Sequence, residues 1–300
     1  MISRRRFIGS SSAAAVYLAA FGRSEESYAS PLGLPLGLQL YSVRQQLAKN
    51  YEGTLSEIAS LGYGEVEAAG FYGRSAADVK QAMRKAHLGC VSAHYPYVEL
   101  QKKFDEVLAF NKELGVEYLI CSSPGFKTPA APDASGHARP LTLEDWRWNA
   151  EQFNRMGEKT SAAGMRFGYH NHTREFTLTD GVVPYTELLR LTDPAKVTLE
   201  LDCGWAIVAG VRPVDLLRDH PGRFSMLHVK DFKAAGGAQA EAHDPTVTEL
   251  GMGSIDYGPI LQQAAKTQKI KHMFVEQEAF DLPYLQSLKV DADYMRNLKI

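Results

Sequence analysis

Residues 167–172 read FGYHNH, two histidines two positions apart at the end of a short apolar run. In a strand, His170 and His172 point to the same face. Other residues able to ligate or transfer protons close similar runs. Asp202 ends LELD, two residues after Glu200. His228 stands in MLHVKD, two residues before Lys230, and Glu276 and Glu278 end FVEQE. Gln39, Tyr41, Glu65, Glu67 and His94 sit in three earlier runs. Alone, a strand-end histidine is usually a hydrogen-bonded structural residue and a glutamate is usually solvated. The joint pattern says more, because His170, Asp202, His228 and Glu276 fall one to a run. Two imidazoles and two carboxylates suit one divalent ion such as Mn²⁺, Zn²⁺, Fe²⁺ or Co²⁺, and suit Mg²⁺ less. Buried with no ion, such groups would need polar partners that apolar strands do not supply.

Something must bring the four runs together. From about residue 35 the chain alternates short apolar runs with amphipathic stretches. The runs are 36–43, 64–70, 89–96, 116–123, 165–172, 196–204, 223–232 and 270–278. Between the first two, Leu47, Tyr51, Leu55, Ile58 and Leu61 share one helical face, which predicts a single helix. Eight such units predict a single-domain (β/α)₈ TIM barrel over residues 35–300. In that fold the strand ends meet at one mouth, where function resides. A doubly wound open sheet is the alternative, but no glycine-rich phosphate fingerprint follows the first run. Two Gly/Pro/Ala-rich stretches, 124–142 and 233–254, read as loop insertions.

The 300 residues are 45% apolar and 23% charged, with net charge −2. This is globular composition with no electrostatic case for nucleic acid. The first 29 residues differ. Ser3-Arg4-Arg5-Arg6-Phe7-Ile8 has the twin-arginine pattern, an Ala/Ser-rich segment follows, and Ser27-Tyr28-Ala29 has the small residues a signal peptidase inspects. A cleavable signal segment over 1–29 is expected, and with it export to the periplasm and no stable membrane association after cleavage. That segment carries Arg4, Arg5, Arg6 and Arg23 against Glu25 and Glu26, so the remainder has net charge −4. Of three cysteines none is in a CxxC spacing, and all read as small buried hydrophobes. A Cys90–Cys121 bridge is conceivable, but nothing in the sequence argues for it. Homo-oligomerisation stays open.

Seven stretches carry a resemblance: GLQLYSVR (37–44), VEAAGFYG (66–73), YHNHTREF (169–176), LELDCGWAIVAG (199–210), HVKD (228–231), GMGSIDYGPI (251–260) and FVEQE (274–278). With them the chain resembles the xylose-isomerase-like TIM-barrel superfamily of sugar isomerases and epimerases. That superfamily also includes inosose dehydratases and endonuclease-four-type repair enzymes. The resemblance implies metal ligation by His170, Asp202, His228 and Glu276. Many relatives have Glu-Asn-His where this chain has His170-Asn171-His172, so one carboxylate of their acid–base pair is missing here. Trp205 stands where epimerases often carry histidine.

An ion bound to a sugar carbonyl and its neighbouring hydroxyl acidifies the adjacent C–H. The candidate catalytic groups are Glu276, His170 and Lys230. Glu67, His94, His172, Tyr41 and Trp205 are candidates for contact with sugar hydroxyls or ring faces. The expected function is a metal-dependent isomerase or epimerase acting on a non-phosphorylated sugar or keto-glycoside. A keto-glycoside lyase or dehydratase at the same site and a non-catalytic exported sugar-binding barrel are the alternatives.

Overall fold

The computed structural model describes residues 30–129, 138–233 and 246–300. The expected signal segment lies outside the described residues, as do the centres of both expected loop insertions.

The chain forms β1 (Gly37–Gln39), β2 (Glu65–Ala68), β3 (Gly89–Pro96), β4 (Tyr118–Ser123), β5 (Arg166–His170), β6 (Val197–Asp202) and β7 (Phe224–Val229). A small antiparallel ribbon, β8 (Asp231–Phe232) with β9 (Val247–Thr248), precedes β10 (His272–Val275). Strands β1 to β7 and β10 pair in parallel and close into a barrel. The (β/α)₈ expectation holds. No helix among the described residues is long and apolar enough to cross a membrane.

Several local expectations change. The first strand is short, and Leu40–Val43 form a 3-10 turn that places Tyr41 at the mouth. The single helix expected after it is two, α1 (Arg44–Lys49) and α2 (Tyr51–Ser60). Asn50 breaks the run because its side chain accepts the Gly53 N–H and caps the second helix. The strand expected over 223–232 leaves the barrel after Val229 to form the ribbon. The other helices are α3 (Ala76–Ala86), α4 (Tyr97–Leu114), α5 (Leu143–Ala162), α6 (Pro184–Leu191), α7 (Cys203–Val208), α8 (Pro213–Asp219), α9 (Tyr257–Thr267) and α10 (Tyr284–Asn297). Trp146 is buried in the core and Trp148 packs edge-on against Tyr97, so neither offers a face to a ligand. All three cysteines are free thiols.

Side chains alternate between the two faces of each strand, and the inward set fills the barrel in layers. Tyr118, Ile120, Met226 and Phe274 form an apolar floor. The floor packs densely because Gly168 faces it: a Cβ there would come within 2.6 Å of Ile120. Inward residues one step further along the strands are polar. Parallel pairing sets Gln39 beside Glu67, His170 beside Glu200 and Asp202 beside His228. The register shifts between Val66 and Glu67 and again between Leu199 and Glu200. The extra residue at each shift lies on the neighbouring strand, Val91 on β3 and Ser225 on β7.

Candidate metal centre

Two buried carboxylates organise the layer above the floor. Glu200 Oε2 accepts hydrogen bonds from His94 Nε2 at 2.7 Å and His170 Nδ1 at 2.9 Å. Glu67 accepts from Gln39 Nε2 at 2.7 Å, His228 Nε2 at 2.7 Å and the Ser92 hydroxyl. Each imidazole of His170 and His228 therefore commits one nitrogen to a carboxylate below and presents the other upward. This is how histidine ligands are oriented in metal sites.

The upward nitrogens meet two more carboxylates. His170 Nε2 lies 3.8 Å from Asp202 Oδ2. His228 Nδ1 lies 3.9 Å from the same oxygen and 3.2 Å from Glu276 Oε2. Ligand atoms around one ion about 2.1 Å away sit about 3.4 Å apart in a tetrahedron. All four donors fall within 4.8 Å of one another and all four residues are buried. Asp202 Oδ2 is buried, and its one close partner among the described residues besides these imidazoles is the Lys230 ammonium at 2.9 Å. The donor set thus fits a divalent ion. His94, His170, Glu200 and His228 form a second compact group. Its spacings of 2.7 and 2.9 Å are those of shared protons, which makes it the support beneath the first.

The segment around the site explains the sequence between the histidines. Asn171 Nδ2 donates to the Asp202 carbonyl at 3.2 Å and its Oδ1 accepts the Asp202 N–H at 3.0 Å, tying the ends of β5 and β6 together. Buried Glu175 accepts the His172 N–H at 3.0 Å and so fixes the turn after β5. Asp202 also caps α7, its Oδ1 accepting the Trp205 N–H at 2.7 Å. That helix was not expected from the sequence.

Lys230 is fully buried. Its ammonium lies 2.9 Å from Asp202 Oδ2 and 2.6 Å from both Glu276 Oε2 and Glu278 Oε1. It crosses under α7 at Gly204, where a Cβ would strike its stem. Three carboxylates outweigh burial and hold it protonated.

A cavity of about 650 Å³ opens over this layer, with His94, His170, His172, Glu276 and Glu278 at its base and Tyr41 at its edge. Three expected roles need correction. Glu67 is fully buried beneath the histidines, bonded to His228 Nε2 at 2.7 Å, and does not line the cavity. Lys230 does not reach the cavity either, so it balances charge rather than touching substrate. Trp205 is drawn aside by its Nε1 bond to Glu278 at 3.0 Å and packs over the Lys230 ammonium. Glu200 and Glu278 are site residues for which the sequence alone suggested no role. The two-residue spacing from Asp202 and Glu276 was the signal for both.

Two histidines at the base of the cavity differ in charge. Burial and the Lys230 charge push His172 down to about 3, so it is a neutral imidazole. Burial would also lower His94, but Glu67 and Glu200 outweigh it and hold it up at about 9. Burial opposes ionisation of Glu276, but Lys230 and His228 keep it a carboxylate.

A parallel eight-stranded barrel with buried imidazoles and carboxylates at its mouth defines a TIM-barrel enzyme class. The family model described as xylose isomerase-like TIM barrel matches residues 55–298, and the chain belongs to that family. An inosose dehydratase of Clostridium botulinum is 26% identical over 254 residues, covering 76% of this chain and 82% of that protein. The crystal structure of a sugar phosphate isomerase/epimerase from Parabacteroides distasonis is 26% identical with TM-score 0.69, covering 87% of this chain and 93% of that one. An IolI protein solved with a zinc atom shares the fold at 13% identity and TM-score 0.66, covering 87% and 97%. The chain is an enzyme, and the non-catalytic alternative is set aside.

Proposed function

We propose that this enzyme is a metal-dependent lyase that removes a proton beside the carbonyl of a non-phosphorylated keto-sugar or keto-glycoside and expels the β-substituent. The observation that carries this is geometric: His172 and His94 both line the base of the cavity beside the four candidate ligands, His94 with its Nε2 held by Glu200 at 2.7 Å. Two imidazoles so placed can serve as base and acid. His170, Asp202, His228 and Glu276 would hold the ion, which when bound polarises the carbonyl and steadies the charge that develops there.

His172 makes no side-chain hydrogen bond among the described residues and takes the carbon-bound proton. The C–H electron pair becomes the new double bond beside the carbonyl. The substituent on the β-carbon leaves with its bonding electrons as an oxyanion. His94 protonates it: its Nε2–H is committed to Glu67 and Glu200, which leaves Nδ1–H as the donor. The products are an unsaturated keto-sugar and an alcohol or water. Glu276 is one of the catalytic candidates of the sequence, but its Oε2 is held by Lys230 and His228, which suits a ligand better.

The dehydratase relative supports elimination, and imidazole in place of a strand-5 carboxylate weakens a two-carboxylate epimerisation. Epimerisation is the second reading, favoured by the isomerase/epimerase structural neighbour. Export directed by residues 1–29 is part of the proposal and agrees with a substrate lacking phosphate. Incubating the metal-loaded protein in D₂O with inososes, free keto-sugars and 3-keto-glycosides tests it. An unsaturated product that has lost its β-substituent supports elimination. An epimer with no loss of substituent supports the second reading. Finding neither an unsaturated product nor an epimer with any of them overturns both.

A further inference from the structure

The cavity is built from two materials. Its volume of about 650 Å³ is in the range of pockets that enclose ligands larger than one pyranose ring, about 300–1,000 Å³. His94, His170, His172, Glu276 and Glu278 occupy one end. The other end is walled by Phe71, Tyr95, Val107 and Phe110. Phe71 lies 4.6 Å from Phe110 and 6.4 Å from Tyr95, ring centre to ring centre. Tyr95 is buried, whereas Phe71 and Phe110 each keep part of a ring open.

The backbone goes to some length to place Phe71 there. Gly70 (φ +103°), Tyr72 (φ 55°) and Gly73 (φ 71°) all adopt left-handed conformations around it. Tyr72 is not glycine, and such a conformation persists only where surroundings hold it. Its hydroxyl donates to the Arg44 carbonyl at 3.3 Å and its ring packs on Tyr51. On the opposite wall, α4 breaks at Lys103 (φ −147°, ψ 42°), so the helix bends where it passes the cavity.

Charge in this arm is spent within the protein. Arg74 pairs with Glu52 at 2.8 Å and covers the Tyr51 ring, and Lys103 pairs with Glu99 at 3.2 Å. No other lysine or arginine lines the cavity among the described residues. A phosphate would meet two occupied cations and the carboxylates of Glu99 and Glu106.

We infer that the Phe71–Phe110 arm of the cavity is a subsite for the flat, uncharged, apolar aglycone of a glycoside whose sugar ring lies over the histidines. This rests on the reading above that the sugar reacts at the histidine–carboxylate cluster. An aglycone seated there is the leaving group, so the arm selects aryl glycosides over free sugars and sugar phosphates.

Calorimetric binding to the metal-loaded protein tests the subsite without needing turnover. The probes are phenyl and methyl β-D-glucopyranoside, glucose and glucose 6-phosphate. Phenyl should bind at least about tenfold tighter than methyl, as stacking on two rings predicts. Phe110→Ala and the milder Phe71→Leu should each remove most of that gap and leave the methyl glycoside within about twofold. Equal affinities, no measurable binding of either glycoside, a gap that survives both substitutions, or tighter binding of glucose 6-phosphate than of glucose overturns the inference. A phenyl preference with no unsaturated product from any keto-glycoside leaves the subsite standing and removes the lyase reading. Unsaturated product without the preference does the reverse.

Discussion

Glu200 accepts a hydrogen bond from His170 Nδ1 at 2.9 Å, and this turns the other nitrogen of that imidazole toward Asp202. The carboxylate never reaches the ion position itself, yet it determines which atom of His170 does.

Replacing Glu200 with Gln should therefore weaken metal binding by about 10- to 100-fold, the range seen when orienting partners of histidine ligands are removed. His228→Ala and Glu276→Ala should lose the ion outright. Metal content of purified protein after dialysis checks all three. Full metal content in His228→Ala and Glu276→Ala would remove the centre as described.

His172→Gln separates ligation from proton transfer. Metal content should stay at the wild-type level while formation of the unsaturated product slows. The loss expected is about 10²–10⁴-fold in rate, the usual contribution of a positioned proton acceptor. Rates within a few-fold of wild type would return the base role to Glu276.

Lys230→Met leaves Asp202 and Glu276 buried and without their cation. Breaking a buried ion pair by removing one partner costs about 3–5 kcal/mol. Urea unfolding of metal-free protein should show a loss of that order. Added divalent ion should narrow the difference, because it supplies the missing positive charge.

At the far end of the barrel His272 pairs with Glu65 at 3.0 Å and approaches Glu117 at 3.8 Å. Burial lowers its proton affinity, but bonding to Glu117 and Glu65 prevails and raises it to about 9. Burial also pushes Glu65 up, which works against the pair at acid pH; the alkaline limb belongs to His272. A histidine raised above its unfolded value stabilises fully below about pH 6.5, and the gain is lost as pH rises through about 9. Because the Glu117 side chain is 65% exposed, the contribution is discounted to on the order of 1–2 kcal/mol. Unfolding of His272→Gln at pH 6 and pH 9.5 should show a smaller pH difference than wild type.

Changing Arg4 and Arg5 together to Lys should keep the protein in the cytoplasmic fraction of a host with a twin-arginine pathway. Fractionation against wild type measures it, and unchanged periplasmic yield would end the export proposal.

The alternation of apolar runs and amphipathic stretches was enough to read the barrel, since each run needs only strand period and length. It was enough to gather His170, Asp202, His228 and Glu276 too, because barrel closure brings successive strand ends together whatever the loops do. What escaped were effects of a single residue's side chain on its own backbone. Asn50 ends one helix and starts another, and Asp202 starts a helix where a loop was expected. The depth of Glu67 was hidden because residue type does not say which inward strand residues the layer above will cover. Lys230 followed HVKD onto the expected face, but nothing in that motif says that α7 would roof it over.

Asp202 carries two obligations on its two oxygens, one to the start of α7 and one to the cluster. Asparagine at this position would keep the helix start and forfeit the negative charge. Glutamate would keep the charge but carry it one methylene too far to hold the Trp205 amide. The position consequently has no conservative replacement. Changes that alter what the enzyme accepts have room only in the cavity walls.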